Sequence, residues 1–195
     1  PRSMWHKMRN DLPDEPTTKV QARGHYLEPA ILAWYADEQG IDTTEPTQWA
    51  TQPLFVKDGW AAATPDAQAT LANAEIRLVE AKSARELEEW GAPGTDEIPT
   101  HYLIQAFWQA HVSGIHRVDV PILGTFLDFA LYTVVYDPEV GAMLEAECKA
   151  SWTRSVRTTH LTSMGRPRPT TRCGSCTARS RTPAWRSPAR SPWST

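Results

Sequence analysis

The chain has 195 residues, a length that suits one domain of ordinary size. Hydrophobic residues make up 41% of it and include nine Trp, which is enough for a packed core, but no apolar run reaches the roughly 18 residues of a membrane-spanning helix. Net charge is only −3 and the three Cys residues are too few for a disulfide framework, so we expect a protein of the reduced cytoplasm.

The first half of the chain predicts one helix followed by short strands. Apolar residues recur at every third or fourth position over residues 22–39, which indicates a helix, and Gly40 marks its end. Four extended segments follow, with turn signals between them: residues 47–50, 54–57, 60–64 and 75–82. Residues 67–74, before the last of these strands, are predicted as a hairpin-like gap.

The second half predicts two further helices around a pair of strands. The elements in chain order are a charged helical turn, a helix, two strands and a closing helix: residues 84–90, 100–113, 117–123, 126–136 and 138 to about 154. An order of helix, three strands, helix, further strands and closing helix is typical of an α/β sandwich built on one central sheet.

Charge and composition change near Arg157. All 23 acidic residues precede it, whereas residues 157–195 contain eight Arg, no acid and almost no aliphatic side chain. A segment rich in Arg, Pro, Ser and Thr cannot bury enough apolar surface to fold, so we expect a domain over residues 1–156 and a disordered tail over residues 157–195. Two origins of the tail stay open, a native basic segment or the product of a frameshift near Arg157.

Two acidic residues and a lysine are the strongest candidates for chemistry. Asp66, in Thr64-Pro65-Asp66, is separated by 13 residues from Glu80-Ala81-Lys82. Glu80 and Lys82 are two residues apart in a predicted strand, so their side chains point to one face, about 6–7 Å apart. Phosphodiester hydrolysis needs a hard cation, and Mg²⁺ usually takes one or two carboxylates plus water. We therefore predict that Asp66 and Glu80 share a cation, while Lys82 orients the water and offsets negative charge in the transition state.

On these three residues alone, a Glu-x-Lys pair is more often the solvated face of a strand. Three further observations favour a site. Leu78 and Val79 make the strand apolar just before Glu80, which places a charge at the boundary of the core. Glu28 lies on the first predicted helix, where a third carboxylate can face the same place, and Gln105 puts an amide on an otherwise apolar helical face.

Four short motifs follow one another along the chain: Arg23-Gly24-x-x-x-Glu28, Thr64-Pro65-Asp66, Glu80-x-Lys82 and Tyr102-x-x-Gln105. In this order and spacing they resemble the YqaJ-type viral recombinases, relatives of phage lambda exonuclease in the PD-(D/E)xK nuclease superfamily. The resemblance runs from about Met4 to Trp152. It implies a restriction-endonuclease-like α/β core, in which helix, three strands, helix and strand build a central mixed sheet flanked by helices.

The resemblance also implies a role for each matching residue. The groups that would bind Mg²⁺ or Mn²⁺ are three carboxylates and one carbonyl: Asp66, Glu80, Glu28 and Ala81. Lys82 would be the catalytic lysine. Gln105 would position the lysine, the water or the phosphate, and Glu28 would assist from its helix.

The implied activity is metal-dependent exonuclease action on duplex DNA ends, from 5′ to 3′, in phage recombination. The implied partners are double-stranded DNA ends, a single-strand annealing protein and two further copies of the chain in a homotrimer, with no membrane association. The implied location is the cytoplasm, which is that of the host cell if the chain is phage-encoded.

The chain departs from this family at Ala67, where the family usually has Gly after Pro-Asp. A turn that needs positive φ would be strained by Ala, at a cost of about 1 kcal/mol or with a slight shift of Asp66. The chain also starts inside the family's N-terminal region, so we expect the domain at residues 1–156 to be truncated there. Two alternatives stay open: a restriction-like or CRISPR-associated endonuclease of the same superfamily, and a catalytically inactive DNA-binding module.

Overall fold

A computed structural model of the chain describes residues 18–85 and 87–163, and it describes side chains as far as residue 154. The chain divides into two units after Arg157, and the strands all belong to the first unit. The start of the predicted domain, residues 1–17, and the predicted disorder of residues 164–195 lie outside the described residues.

The described elements follow one another as a helix, six short strands, a helix, two strands and a closing helix. The described elements are α1 (Lys19–Gln39), β1 (Trp49–Thr51), β2 (Phe55–Lys57), β3 (Ala61–Ala63), β4 (Ala67–Thr70), β5 (Ile76–Val79), β6 (Lys82–Ser83), α2 (Thr100–Ser113), β7 (Arg117–Leu123), β8 (Phe129–Val135) and α3 (Pro138–Ser163). In this described part of the chain, no helix has the length and apolar character that a membrane span requires.

Helix α1 begins and ends at clear local signals. Thr18 and Gln21 form a capping box, in which the Thr18 side chain accepts from the Gln21 N–H and the Gln21 side chain accepts from the Thr18 N–H. Gly40 ends the helix in a left-handed conformation with φ of 63°. The capping box explains why the helix starts at Lys19, three residues before the start predicted from the apolar spacing.

The central sheet is mixed, as predicted, with β7 at its centre. Strands β5 and β6 both pair with β7 in parallel, at successive positions along one edge, and β8 pairs antiparallel with its other edge. Strand β4 pairs antiparallel with β5, and β1 pairs antiparallel with β4. Strands β2 and β3 form a separate antiparallel hairpin.

A hydrophobic core lies on each face of this sheet. The core on the α2 face contains Leu78, Val118, Val120, Ile122, Ala106 and Ala110, and the core on the α1 face contains Val79, Ala67, Ala69, Leu32, Tyr35 and Ala36. Burying each large apolar side chain of this kind stabilises the fold by about 1.5–3 kcal/mol. Alternation along β5 therefore assigns Leu78 to the side of α2 and Val79 to the side of α1.

Several predicted elements are wrong or incomplete. The strand predicted over residues 75–82 is interrupted at Glu80 and Ala81, and the strand predicted over residues 126–136 begins only at Phe129. Residues 67–74 are not simply a gap, because Ala67–Thr70 forms β4; its alternating Ala residues carry little strand propensity but are small enough to be buried under α1. Residues 84, 85 and 87–90 form turns and not a helix, since the Ala84 N–H donates to the Leu123 carbonyl and Trp90 is buried in the core. Helix α3 continues to Ser163, beyond the predicted end near residue 154 and into the start of the predicted disordered tail.

Candidate active site

The site lies where one strand of the sheet is interrupted. Strands β5 and β6 follow the same edge of β7, and Glu80 and Ala81 form the break between them. The Glu80 N–H still donates to the Asp119 carbonyl at 2.9 Å. The Ala81 N–H leaves the ladder and donates instead to Asp66 Oδ2 at 2.8 Å, which joins the residue before β4 to this break.

The Glu80 carboxylate is the best-held group of the site. It is only 5% exposed, and three donors surround it. Lys82 Nζ and Gln105 Nε2 each lie 2.5 Å from Oε1, and Gln109 Nε2 lies 2.6 Å from Oε2. A buried carboxylate requires such partners, because an unpaired charge in the interior is costly.

Helix α2 supplies one face of the site. Tyr102, Gln105 and Gln109 follow one another at intervals of three and four residues, which places them on the same side of the helix. The two Gln amides donate to Glu80, while the Lys82 ammonium lies 5.3 Å from the centre of the Tyr102 ring. Lys82 is therefore held between a carboxylate and an aromatic face.

Negative charge is concentrated around Asp66. Burial first, and then the charges of Glu80 and Glu28, raise the pKa of the Asp66 carboxyl to about 7, whereas Lys82 and the Ala81 N–H oppose the shift. Three carboxylates thus act on one another electrostatically at this place. A bound cation would offset the repulsion between these carboxylates.

Glu28 faces the same cleft as Asp66 but makes no hydrogen bond with it or with Glu80 in the described chain. The cleft is lined by residues that include Glu28 from α1, Asp66, Ala81 and Lys82. The Glu28 carboxylate forms an ion pair with His25 Nδ1 on its own helix, at 3.9 Å. Among residues 18–85 and 87–163, no three His, Cys, Asp or Glu side chains are already gathered closely enough to hold a metal ion.

The donor chemistry nevertheless fits a hard cation. Asp66, Glu80, Glu28 and the Ala81 carbonyl offer oxygen atoms only, and Mg²⁺ needs just one or two carboxylates because it keeps several waters. The structure places Glu28, Asp66 and Lys82 in the lining of one cleft. Glu80 contacts Lys82 and Gln105 directly, and Asp66 contacts the neighbouring Ala81 N–H. Glu28 has no hydrogen bond to the others within the described chain.

Two residues of the site are not among the predictions. Gln109 is 3% exposed and holds the second Glu80 oxygen, while its own Oε1 has no hydrogen-bond partner within the described chain. Its signal in the sequence is its position one helical turn after Gln105. Asp119 is the second, and only its isolation in the apolar strand Val118-Asp119-Val120 marks it.

Asp119 is fully buried behind the site and ties three elements together. Its carboxylate accepts from the Tyr35 hydroxyl at 2.7 Å, from Thr133 Oγ1 at 2.7 Å and from Arg77 Nη1 at 3.1 and 3.2 Å. Burial and the charge of Asp119 raise the pKa of Tyr35, so the hydroxyl stays a donor. Helix α1, which carries Glu28, is thereby fixed to the sheet that carries Glu80.

The expected strain at Ala67 is wrong. Ala67 is the first residue of β4 and pairs with Val79, and its side chain is fully buried on the α1 face. Among the described residues, those other than Gly with positive φ are Gln52, Asp58, Ala74 and Leu127. Ala67 is thus in an extended conformation that any residue can adopt, and it does not displace Asp66.

Known proteins share both the sequence pattern and the fold. Residues 3–116 match the family model of the YqaJ-like viral recombinase domain, a range that includes all five predicted side chains of the site. Two crystal structures resemble the fold: an alkaline exonuclease, LHK-Exo, from Laribacter hongkongensis with a TM-score of 0.62, and LHK-Exo in complex with dAMP with a TM-score of 0.63. Each is 20% identical in sequence, and the match covers 80% of this chain and 78% of that chain.

No curated protein matches the chain in sequence. The structural likeness supports the restriction-endonuclease-like core predicted from the motifs, with its mixed sheet between helices. The family model covers more than half of the residues, and its range contains the break at Glu80 and Ala81 together with α2. The chain therefore belongs to the YqaJ-like viral recombinase family.

Proposed function

We propose that the chain is a metal-dependent exonuclease that hydrolyses phosphodiester bonds of duplex DNA from a free end, from 5′ to 3′, during recombination. One observation carries the proposal: at the break of the central sheet the Ala81 N–H donates to Asp66, while Lys82 donates to the neighbouring Glu80 carboxylate. Membership of a viral recombinase family and a fold shared with an alkaline exonuclease support the same activity.

The proposed cation is Mg²⁺ or Mn²⁺. The groups that would hold it are the carboxylates of Asp66, Glu80 and Glu28 and the carbonyl of Ala81. When bound, such an ion polarises the phosphoryl group and lowers the pKa of an attacking water. Asp66 Oδ2 is already oriented by the Ala81 N–H, so one carboxylate of the set is positioned by the backbone.

The remaining residues position and stabilise. Lys82 can donate from its ammonium to a water or a phosphoryl oxygen, where it offsets the negative charge that develops as the water oxygen bonds to phosphorus and the bridging P–O bond breaks. Gln105 and Gln109 donate to the two Glu80 carboxylate oxygens from α2, which fixes the orientation of that carboxylate. Tyr102 limits the movement of the Lys82 side chain.

The proposed biological setting follows the family. We expect duplex DNA ends as the substrate, a homotrimer as the assembly, and a single-strand annealing protein as a partner in the cytoplasm, that of the host if the chain is phage-encoded. The site itself supports only the hydrolytic step among these expectations.

The test is digestion of linear duplex DNA by the purified chain with Mg²⁺, beside closed circular DNA and beside a reaction with a chelator. We expect mononucleotides from the linear substrate only, and only with Mg²⁺. Lys82→Ala is expected to lower the rate by about 10²–10³, the usual cost of losing one group that stabilises transition-state charge.

Lys149→Ala is the matched control, because Lys149 is an exposed lysine on α3 that pairs with Glu145 away from the site. It should digest at the parent rate. Nicking of closed circles would indicate an endonuclease, and binding of DNA without cleavage would indicate an inactive module. Equal digestion by the parent and Lys82→Ala would refute the site.

A further inference from the structure

A second cleft lies beside the active-site cleft. Ser83, Ala84 and Arg85 follow Lys82 directly and line it, together with Arg23 from α1 and the turn between β7 and β8. Ser83 borders the active-site cleft as well, so the two clefts are neighbours. The volume of the second cleft, about 390 Å³, is within the range of pockets that hold small ligands.

The charge of the second cleft is opposite to that of the first. Arg23 and Arg85 line it and none of its described lining residues is acidic, whereas Glu28 and Asp66 line the active-site cleft. Glu88 and Glu89 line the space on the far side of the two arginines, towards Trp90. On the side of the β7–β8 turn, the guanidinium groups of Arg23 and Arg85 offer N–H donors to an anion.

The β7–β8 turn presents apolar side chains beside these arginines. Phe126 is 87% exposed and Leu127 is 74% exposed, although both are large and apolar. Leu127 also has a φ of 64°, a conformation that a bulky side chain rarely adopts unless its surroundings impose it. Such features concentrate at functional loops.

The turn is fixed to the strand that carries Lys82. Thr125 Oγ1 donates to the Arg85 carbonyl, and the Ala84 N–H donates to the Leu123 carbonyl at 3.0 Å. The Gly124 N–H donates to the Asp128 carbonyl at 2.9 Å, which closes the turn. These hydrogen bonds hold the β7–β8 turn, with Phe126 and Leu127, against the segment that carries Arg85.

We propose that this second cleft binds the DNA strand next to the scissile phosphate, with Arg23 and Arg85 on a backbone phosphate and Leu127 and Phe126 against a base. The inference rests on the proposed exonuclease function. Guanidinium groups suit phosphate because they donate two parallel hydrogen bonds. Ser83 to Arg85 lie roughly 3–10 Å along the chain from Lys82, which spans about one to three nucleotides of a duplex strand.

The test is binding of a short, blunt, 5′-phosphorylated duplex, labelled with a fluorophore, measured by anisotropy over a series of salt concentrations in the presence of a chelator. Phosphate contacts make affinity fall with salt, and losing one such contact reduces the slope of log affinity against log salt by about 1. We expect the double variant Arg23→Gln and Arg85→Gln to bind more weakly and, because the two arginines share one phosphate, with a slope smaller by about 1.

Two further variants separate this role from a structural one. Arg117→Gln is the matched control, because Arg117 is at the opposite end of β7 and pairs with Glu75, and it should bind with the parent slope. Leu127→Gly removes the apolar side chain at a position whose φ suits glycine. It should weaken binding without changing the slope and without lowering the melting temperature.

The inference is overturned if the double variant keeps the parent affinity and slope, or if Arg117→Gln changes the slope as much. These binding results do not depend on hydrolysis. If digestion depends on Lys82 but the double variant binds like the parent, only the proposed role of the second cleft is refuted. If digestion is absent or independent of Lys82, the proposed function is refuted.

Discussion

At the residue scale, the Glu80 carboxylate determines what the site can do. It is buried, and its described donors come from two elements: Lys82 from the next strand, and Gln105 and Gln109 from α2. A charged hydrogen bond of this kind contributes about 1.5–3 kcal/mol when its geometry is good. Glu80 is thus held in place by the fold before any ligand binds.

Gln109 is expected to act on catalysis through Glu80. Gln109→Leu removes the donor to Glu80 Oε2, and groups that orient a metal-binding carboxylate in this way typically cost 10–100-fold in activity when they are lost. The same change removes a buried amide oxygen that has no partner in the described chain, so the free energy of unfolding should change by less than about 1 kcal/mol. Steady-state digestion rates and urea unfolding check both parts, and a parent-like rate would contradict the role.

Ala67 gives a prediction opposite in sign to the one that the family pattern suggests. Because Ala67 is buried in a strand with ordinary φ, Ala67→Gly should destabilise the fold by about 0.5–1 kcal/mol and should not raise activity. Thermal unfolding and digestion rates measure this. A variant that is more stable and more active than the parent would restore the idea of strain beside Asp66.

At the scale of elements, the interruption between β5 and β6 is what creates the site. A continuous strand would commit the Ala81 N–H to the ladder, whereas in this chain that group donates to Asp66. The break is supported from behind by Asp119, whose backbone carbonyl accepts from Glu80 and whose carboxylate joins Tyr35 of α1, Arg77 of β5 and Thr133 of β8. The position of the site therefore depends on a buried polar network.

Removing the Asp119 carboxylate should destabilise the whole fold. Asp119→Ala leaves the Arg77 guanidinium and the Tyr35 hydroxyl without their buried acceptor, and breaking a buried pair in this way costs about 3–5 kcal/mol. Asp37→Ala is the control, since Asp37 is an exposed residue of the same helix α1. Denaturant unfolding compares the two, and equal stability would show that the network contributes little.

Strong local signals make some elements predictable from the sequence to the residue. Helix α2 and strand β7 have the predicted bounds, because a 14-residue amphipathic segment ends at Gly114 and a seven-residue apolar strand follows. Strand β4 is not predicted because its Ala residues are buried by α1, a long-range contact that periodicity does not reveal. The segment predicted as a helical turn has helical composition, but contacts of Ala84 with Leu123 and of Trp90 with the core determine the path of residues 84, 85 and 87–90.

The candidate site shows the same division. Asp66, Glu80, Lys82 and Gln105 follow from motifs, and the structure places them together, while their catalytic and metal-binding roles stay predictions. Gln109 and Asp119 do not follow from motifs, because a position one helical turn after Gln105 and a lone acid in an apolar strand are weak local signals. Their importance comes from hydrogen bonds to residues far away in sequence, which depend on the packing of α1, α2 and the sheet.

At the scale of the whole molecule, the folded part carries an excess of negative charge and gathers several carboxylates in one cleft. A cation bound there should stabilise the native state by mass action, by about 2.7 kcal/mol at 100 times the dissociation constant. Thermal unfolding with increasing Mn²⁺ should therefore show a rising melting temperature for the parent. The double variant Asp66→Asn and Glu80→Gln should lose that rise, and retention of it would place the cation elsewhere.

The central claim is that Asp66 and Glu80 hold one hard cation beside Lys82. The most direct measurement is a crystal structure of the full chain grown with Mn²⁺, with anomalous scattering used to locate the ion. We expect one peak bonded to oxygens of both Asp66 and Glu80, at about 2.0–2.4 Å. An ion bound at another place would contradict the account. So would Asp66 and Glu80 directed into separate environments, provided that the crystallised protein digests DNA in solution.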